Sequence, residues 1–477
     1  MSLRSPLNNF QIEGRMAKAK FQFIDLFAGI GGFHHALKSL EGECVLTCEL
    51  DPACEKVYKS IFPSAELPGH FVNNIRQITR HDIEDPKSAK DAVEIQKSVK
   101  EHQVLCGGFP CQPFSKSGQQ LGFKDSTRGT LFFDIMEIVR ARRPQFLILE
   151  NVRNLAGPRH RDTWATIRDT IKAEGYVTLN EPIILSPHIL HPDEGGAPQV
   201  RERVFILASL DPSHLERLEK IKEDIENKNI SNGWDPKNWR VSDILMPDSE
   251  ISDVEKYRLT DDELAWVDAW EWFVKNIPSD NLPGHPIWSN EFKLIPEIPE
   301  NCPEWKRNFL VKNSEFYVKY RETIDEWKSM KWGKAQKTVS EFPPSRQLFE
   351  WQAKLWHPKR NTRTLRNLVL QFRPSGIRVK PPTYLPALVA ITQTSIVGPD
   401  VKAGISQYRE LTPVEATKLQ GMPSDVFVKS GIDDKAAYKQ LGNAVNVGVV
   451  RYLANRLINE TPLTGQILFK FQPDQKN

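Results

Sequence analysis

Asp25-Leu26-Phe27-Ala28-Gly29-Ile30-Gly31-Gly32-Phe33 decides the fold. It ends the apolar run 21–27, which reads as a buried strand, and opens a helical pattern over 32–40. Glycines at a strand-to-helix turn let the backbone bend tightly and let a ligand approach the helix N-terminus. Free N–H groups and the helix dipole there favour an anionic group such as a carboxylate. Glu49 stands 20 residues after Gly29, at the end of the next apolar run. An acid at that place can bind two ribose hydroxyls. No Gly-Lys-Ser/Thr follows the glycines, so the loop is not a phosphate-cradling P-loop. The pattern points to a nucleoside cofactor without phosphates rather than to ATP.

Outward from this turn, residues 21–210 alternate between two periods. Strands are predicted at 21–27, 43–48, 104–106, 146–149 and 204–208, and helices at 32–40, 53–61, 131–141 and 163–174. Strands alternating with helices imply an α/β fold, a doubly wound Rossmann-like sheet covered on both faces. The 477 residues exceed one ordinary core. Residues 1–20 read as a tail or tag, because Ile12-Glu13-Gly14-Arg15 ahead of Met16 has the look of a protease-cleavage linker. Residues 211–380 hold eleven of the twelve tryptophans and no βα rhythm, so they read as a smaller, irregular second domain. Residues 381–460 regain a pattern, with helices predicted at 411–420 and 437–457, and 461–477 form a tail.

Composition narrows the class. Apolar residues make up 39 % and charged residues 26 %, which is globular. No apolar run nears the roughly 20 residues that cross a bilayer, and no signal peptide is evident. The six cysteines show no CxxC pair and no metal-ligand spacing, so a reducing, cytoplasmic setting and buried thiols are expected. The net charge of +3 is unevenly spread. Residues 211–327 carry fifteen basic and twenty-six acidic side chains, while 328–380 carry thirteen and two. The basic run faces either a polyanion or the acidic segment before it.

Three further blocks carry chemistry. Gly107-Gly108-Phe109-Pro110-Cys111-Gln112-Pro113-Phe114-Ser115 follows the third strand. Most cysteines are merely packed. Cys111, however, lies between two prolines at the carboxyl end of a strand, where α/β sheets bind ligands. Glu150-Asn151-Val152 ends the next strand at the same rim; a helix-capping acid is its plainer reading. Gln199-Val200-Arg201-Glu202-Arg203-Val204 leads into the last strand, with Arg201 and Arg203 on one face if extended, or else a salt-bridged strand end.

These blocks, in this order, resemble the cytosine-C5 DNA methyltransferase family, its Dcm-like bacterial branch and the methylases of type II restriction systems in particular. Arg128-Gly129-Thr130-Leu131-Phe132-Phe133, Arg409-Glu410-Leu411-Thr412-Pro413, Gln420-Gly421-Met422-Pro423 and Gln440-Leu441-Gly442-Asn443-Ala444-Val445 resemble further motifs of that family, and Phe71-Val72-Asn73-Asn74-Ile75-Arg76 is nearest to the Dcm kind. The resemblance implies Cys111 as nucleophile toward cytosine C6, Glu150 at N3 and the exocyclic amine, Arg203 at O2, Arg201 in support and Asn151 ordering the cysteine loop. It implies S-adenosylmethionine as cofactor, held by Phe27, Ile30, Gly32, Glu49, Leu50, Asn74, Ile75, Pro110, Asn443 and Val445. The family usually has Asp where this chain has Asn74, which can still accept through its side-chain oxygen.

By the same resemblance, residues 112–130 read as the loop closing over a flipped base. Ser115 and Ser117 are candidate contacts to double-stranded DNA, or plain linker. Residues 211–380 are the expected target-recognition domain, with Arg360, Arg363, Arg366, Arg373 and Arg378 as candidate DNA contacts. The tryptophans around 266–332 are expected in that domain's core rather than as a platform for stacking bases. A separately encoded restriction endonuclease is the implied partner, and a monomer the implied state. Its rivals are a tRNA-methylating member of the family, a non-catalytic relative and a redox protein. The long segment between the matched regions, the intact Cys, Glu and Arg, and the lack of a resolving cysteine respectively argue against them.

Overall fold

Runs of Val, Ile, Leu and Phe with no polar alternation need cover on both sides, and the chain provides it. The computed structural model describes residues 19–85, 87–110, 130–227, 230, 233–278, 282–357, 359–388 and 394–459. Parallel strands β1 (Phe21–Leu26), β2 (Gly42–Cys48), β3 (Phe71–Val72), β4 (Val104–Gly108) and β5 (Phe146–Val152) form most of the first sheet. β6 (Val177–Thr178), β7 (Ile183–Leu185) and β9 (Arg203–Ser209) complete it. The order is β3-β2-β1-β4-β5-β9-β6, with β7 also on β9. β9 runs antiparallel to β5, so its first residue, Arg203, sits opposite Val152 at the carboxyl rim of the parallel strands.

Helices cover both faces. α1 (Gly32–Lys38), α2 (Pro52–Ile61), α7 (Leu215–Glu226), α11 (Pro413–Leu419), α12 (Asp434–Asn443) and α13 (Val447–Ile458) contribute to one core. α3 (Ile75–Thr79), α4 (Ala92–Ser98), α5 (Leu131–Arg142) and α6 (Arg161–Ala173) contribute to the other. Cys44, Cys48, Cys54 and Cys106 are buried free thiols in these cores. Among the described residues no helix is long and apolar enough to cross a membrane.

The helix expected over 437–457 is two helices. Asn446 breaks it by capping α13: its Oδ1 accepts from Val449 N at 3.0 Å and its Nδ2 donates to Leu419 O at 2.9 Å. The helix expected from 411 begins at Pro413, because Thr412 closes a capping box with Glu415.

A third core organises the second unit. β10 (Ile287–Trp288), β11 (Leu348–Trp351), β12 (Val369–Arg373), β13 (Gly376–Lys380), β15 (Ile396–Val397) and β16 (Arg409–Glu410) form its sheet. α8 (Asp261–Asn276), α9 (Glu304–Lys319) and α10 (Arg321–Ser329) pack on it. Trp270 stacks on Phe349 at 4.5 Å, and Trp327 donates its indole N–H to Ala269 O. These tryptophans are core, as expected. The expected limits of this unit shift, however. Leu218, Ile221 and Ile225 of α7, then Val241, Ile244 and Leu245, join the first core, so the change of core falls after 245 rather than at 211. Strands β15 and β16 extend the second sheet past residue 380. β8 (Gln199–Val200) and β14 (Leu385–Pro386) form a small parallel pair between the units.

The arginines expected to face DNA are largely engaged within the protein. Arg363 is buried and donates to Val274 O at 3.1 Å, which corrects its reading as a phosphate contact. Arg360 donates to Lys275 O and Asn276 O at the end of α8. Arg366 makes a two-pronged pair with Asp400, and Arg378 pairs with Glu350. Arg373 is half-buried. Lys334 and Lys337 pair with Asp261 and Asp262, so the basic run meets its acidic neighbour in part.

Two outcomes test this packing. Arg363→Ala leaves the Val274 carbonyl without its arginine donor and opens a buried gap, and should lower unfolding free energy by about 2–4 kcal/mol in chemical denaturation. A Cβ on Gly448 would lie 1.9 Å from Gly195 O, backbone that cannot yield. Gly448→Val should therefore cost about 3 kcal/mol or more, read as a lower denaturation midpoint.

Candidate active site

The rim of the first sheet is where strand ends and following turns meet. Gly108 of β4 lies in register with Glu150 of β5, and a Cβ at Gly108 would stand 3.0 Å from Glu150 Oε2. Glycine therefore leaves the carboxylate its room. Glu150 Oε1 lies 3.1 Å from Arg203 Nε. Burial pushes the Glu150 carboxyl up, with Arg203 and then Arg201 opposing. Asn151 is buried and donates from Nδ2 to Phe109 O at 2.9 Å. It pins the backbone two residues before Cys111. Pro110 is exposed at the same exit. Cys111, Ser115 and Ser117 lie outside the described residues.

Arg201 does not share a strand face with Arg203. It falls between β8 and β9, and its guanidinium is buried. It donates to Leu388 O at 3.0 Å, Gly442 O at 2.7 Å and Ala444 O at 2.8 Å. Burial lowers its pKa to about 9, with Arg203 adding and Glu150 opposing. Arg201 therefore ties the strand that carries Arg203 to the turn that carries Asn443 and Val445.

The glycine turn forms a second cluster. Phe27, Gly29 and Gly31 all have positive φ, at 56°, 56° and 85°. For Phe27 this is costly and marks a strained turn. A Cβ on Gly29 would meet nothing within 4 Å, so that backbone faces open space. Glu49 accepts from Gly29 N through Oε2 at 2.8 Å and from Asp51 N through Oε1 at 2.7 Å. Each oxygen keeps a lone pair for a further donor. A Cβ on Gly32 would meet Val445 Cγ1 at 2.6 Å, so the two ends of the chain touch here.

The other expected cofactor positions divide. Leu50 is 67 % exposed and Asn443 is exposed, whereas Ile30 and Ile75 turn their side chains into the core and offer only main chain outward. Asn74 caps α3, its Oδ1 accepting from Arg76 N at 3.0 Å.

Two residues had no role in the sequence reading. Asp25 is wholly buried beneath the turn, and burial, then Glu49, raises its carboxyl well above the usual range. Asp134 of α5 accepts from Arg80 at 2.9 and 2.7 Å and from Thr79 at 2.8 Å, fastening the end of α3 to the helix that follows the cysteine loop. Nothing local signals either; a buried pair 54 residues apart has no periodicity to read.

Residues 21–459 match the family described as C-5 cytosine-specific DNA methylase. Type II methyltransferase M.AluI of Cellulosimicrobium cellulans is 37 % identical over 518 aligned residues, spanning 92 % of this chain and 92 % of that protein. Type II methyltransferase M.HhaI of Haemophilus parahaemolyticus is 35 % identical over 48 % of this chain and 58 % of that protein. The DNA-cytosine methyltransferase of Escherichia coli (strain K12) is 35 % identical over 50 % of this chain and 51 % of that one. The family match covers both cores and the unit between them, and the chain belongs to the C-5 cytosine-specific DNA methylases, enzymes that methylate cytosine in DNA.

Proposed function

We propose that this enzyme methylates C5 of a cytosine flipped out of double-stranded DNA at a specific sequence, through a covalent bond between Cys111 and C6. The observation that carries this reading is the convergence of Gly108, Glu150 and Arg203 at one rim, with Asn151 holding Phe109 beside them. A base inside a duplex cannot reach that rim, so flipping is required, at a cost of roughly a few kcal/mol.

S-adenosylmethionine would supply an electrophilic methyl on its sulfonium. The residues fit it: open space over Gly29, an anchored Glu49 for ribose hydroxyls, and Phe27 and Leu50 for the adenine. Phe27, Ile30, Gly32, Asn74, Ile75, Pro110, Asn443 and Val445 complete the set, Ile30 and Ile75 through main chain.

The chemistry assigned to the chain's own groups is as follows. The Cys111 thiolate adds to C6 and turns C5 into an enamine-like nucleophile. Glu150, whose carboxyl burial shifts upward, hydrogen-bonds N3 and the exocyclic amine and favours protonation at N3 as the ring gains electrons. Arg203 holds O2 and the Glu150 carboxylate together. Asn151 fixes the approach of the cysteine loop. After transfer, a base takes the C5 proton, the C5–C6 double bond re-forms and the Cys111 thiolate departs. A separately encoded restriction endonuclease is the implied partner, and a monomer the working state.

Base-resolution mapping of 5-methylcytosine in plasmid DNA from expressing cells tests this. Methylation at every copy of one short sequence, lost in Cys111→Ala, is expected. Methylation retained in that variant would remove the nucleophile assignment, and methylated tRNA with unmethylated DNA would change the substrate. The pH profile tests Glu150. A carboxyl with raised pKa holds its proton to higher pH, so kcat should fall as pH rises through a value above the ordinary glutamate range. Glu150→Gln should remove that limb and lower kcat by about 10²-fold or more.

A further inference from the structure

Most of the arginines expected on the DNA face bond within the protein, so the DNA-facing chemistry of the basic segment lies elsewhere. Residues 353–357 form a tight turn. The buried Ala353 accepts from Trp356 N at 3.0 Å and His357 N at 2.9 Å through one carbonyl. The buried His357 locks the turn from below, stacking on Trp351 and bonding Asn367 Oδ1 at 2.8 Å. This rigid base holds Leu355 97 % exposed and Trp356 37 % exposed. An exposed leucine alone means little. These two are neighbours in one hydrogen-bonded turn, in a frame of cations. Lys354 and Lys359 are exposed and, among the described residues, form no ion pair. Arg240 lies over the Trp356 ring at 5.9 Å.

The turn also faces the right place. Arg240 belongs to the first unit, beside Trp239, whose indole donates to His188 O at 2.8 Å. Two residues before His188, Ser186 Oγ accepts from Arg201 N at 2.9 Å. The apolar tip therefore stands at the seam between the two units, connected through Arg240, Trp239 and His188 to the segment that leads to Arg201.

We propose that Leu355 and Trp356 form a wedge that enters the DNA duplex beside the target cytosine, with Lys354 and Lys359 on the flanking phosphates. Resting on the assignment of DNA as substrate, it adds a role for apolar contact that base-edge and phosphate contacts do not supply. Apolar wedges unstack a base step, and an aromatic ring stacks on any exposed base face. A wedge at this seam would lower the cost of flipping.

The test uses the full-length enzyme and a duplex carrying the methylated sequence mapped in cells, with 2-aminopurine next to the target cytosine. Leu355→Ser is the fold-safe variant, because its side chain touches almost nothing. Leu355→Ser/Trp356→Ala should bind the duplex about ten- to a hundredfold more weakly and lose the 2-aminopurine fluorescence rise, with an unchanged salt slope. Lys354→Ala/Lys359→Ala should keep that rise and flatten the slope by about two. Wild-type affinity and fluorescence in both Leu355→Ser and the double variant would overturn the wedge. A wild-type enzyme that left DNA unmethylated would instead overturn the substrate assignment.

Discussion

The structure depends on one buried guanidinium. Arg201 reaches three carbonyls, those of Leu388, Gly442 and Ala444, from a position immediately before the strand that carries Arg203. Burying a cation this deeply is costly unless its donors are met. Removing it would leave three acceptors without a strong donor, at about 1–3 kcal/mol each. Much of the site follows from this clamp. It fixes the turn before α13, which sets Val445 against Gly32, which in turn supports the strained Phe27–Gly31 turn. It also places a second positive charge near Glu150, which eases the ionisation that burial resists.

A second buried cation holds the two units together. Arg409 pairs with Glu415 at 2.8 Å and with Asp248 at 3.2 Å, and donates to Met246 O. Glu415 is also the residue that closes the capping box of α11. One carboxylate thus starts a helix of the first core and receives an arginine from the second sheet. The junction is hydrogen-bonded and specific at this point, while Val369 and Val397 of the second sheet reach into the first core beside it.

Local pattern made most of the first sheet legible. Continuous apolar runs ending in glycine or acid marked the strands, and the glycine turn, Glu150 and Arg203 lie where the strand ends pointed, whereas Arg201 turns inward to the carbonyls of Leu388, Gly442 and Ala444. Long-range partners were not legible. Charge counting saw Arg363 as free, but its donor is met by a carbonyl 89 residues away. The spacing Leu218, Ile221, Ile225 marks an apolar helix face, yet periodicity does not say which core receives it. The break at Asn446 did carry a local signal, since Gly442, Asn443, Asn446 and Gly448 are poor helix formers, but the apolar pattern running on across it masked the stop that the Asn446 cap makes.

The contact between Gly32 and Val445 joins residues more than four hundred positions apart. A ribosome adding roughly 5–20 residues per second needs roughly 20–80 s to cover that distance. For all that time the nascent chain has its glycine turn but not the surface that closes it. The enzyme is thus timed by its own topology: a fragment released early, or a message cut short, yields a protein that can fold strands yet lacks the closing wall of its cofactor turn.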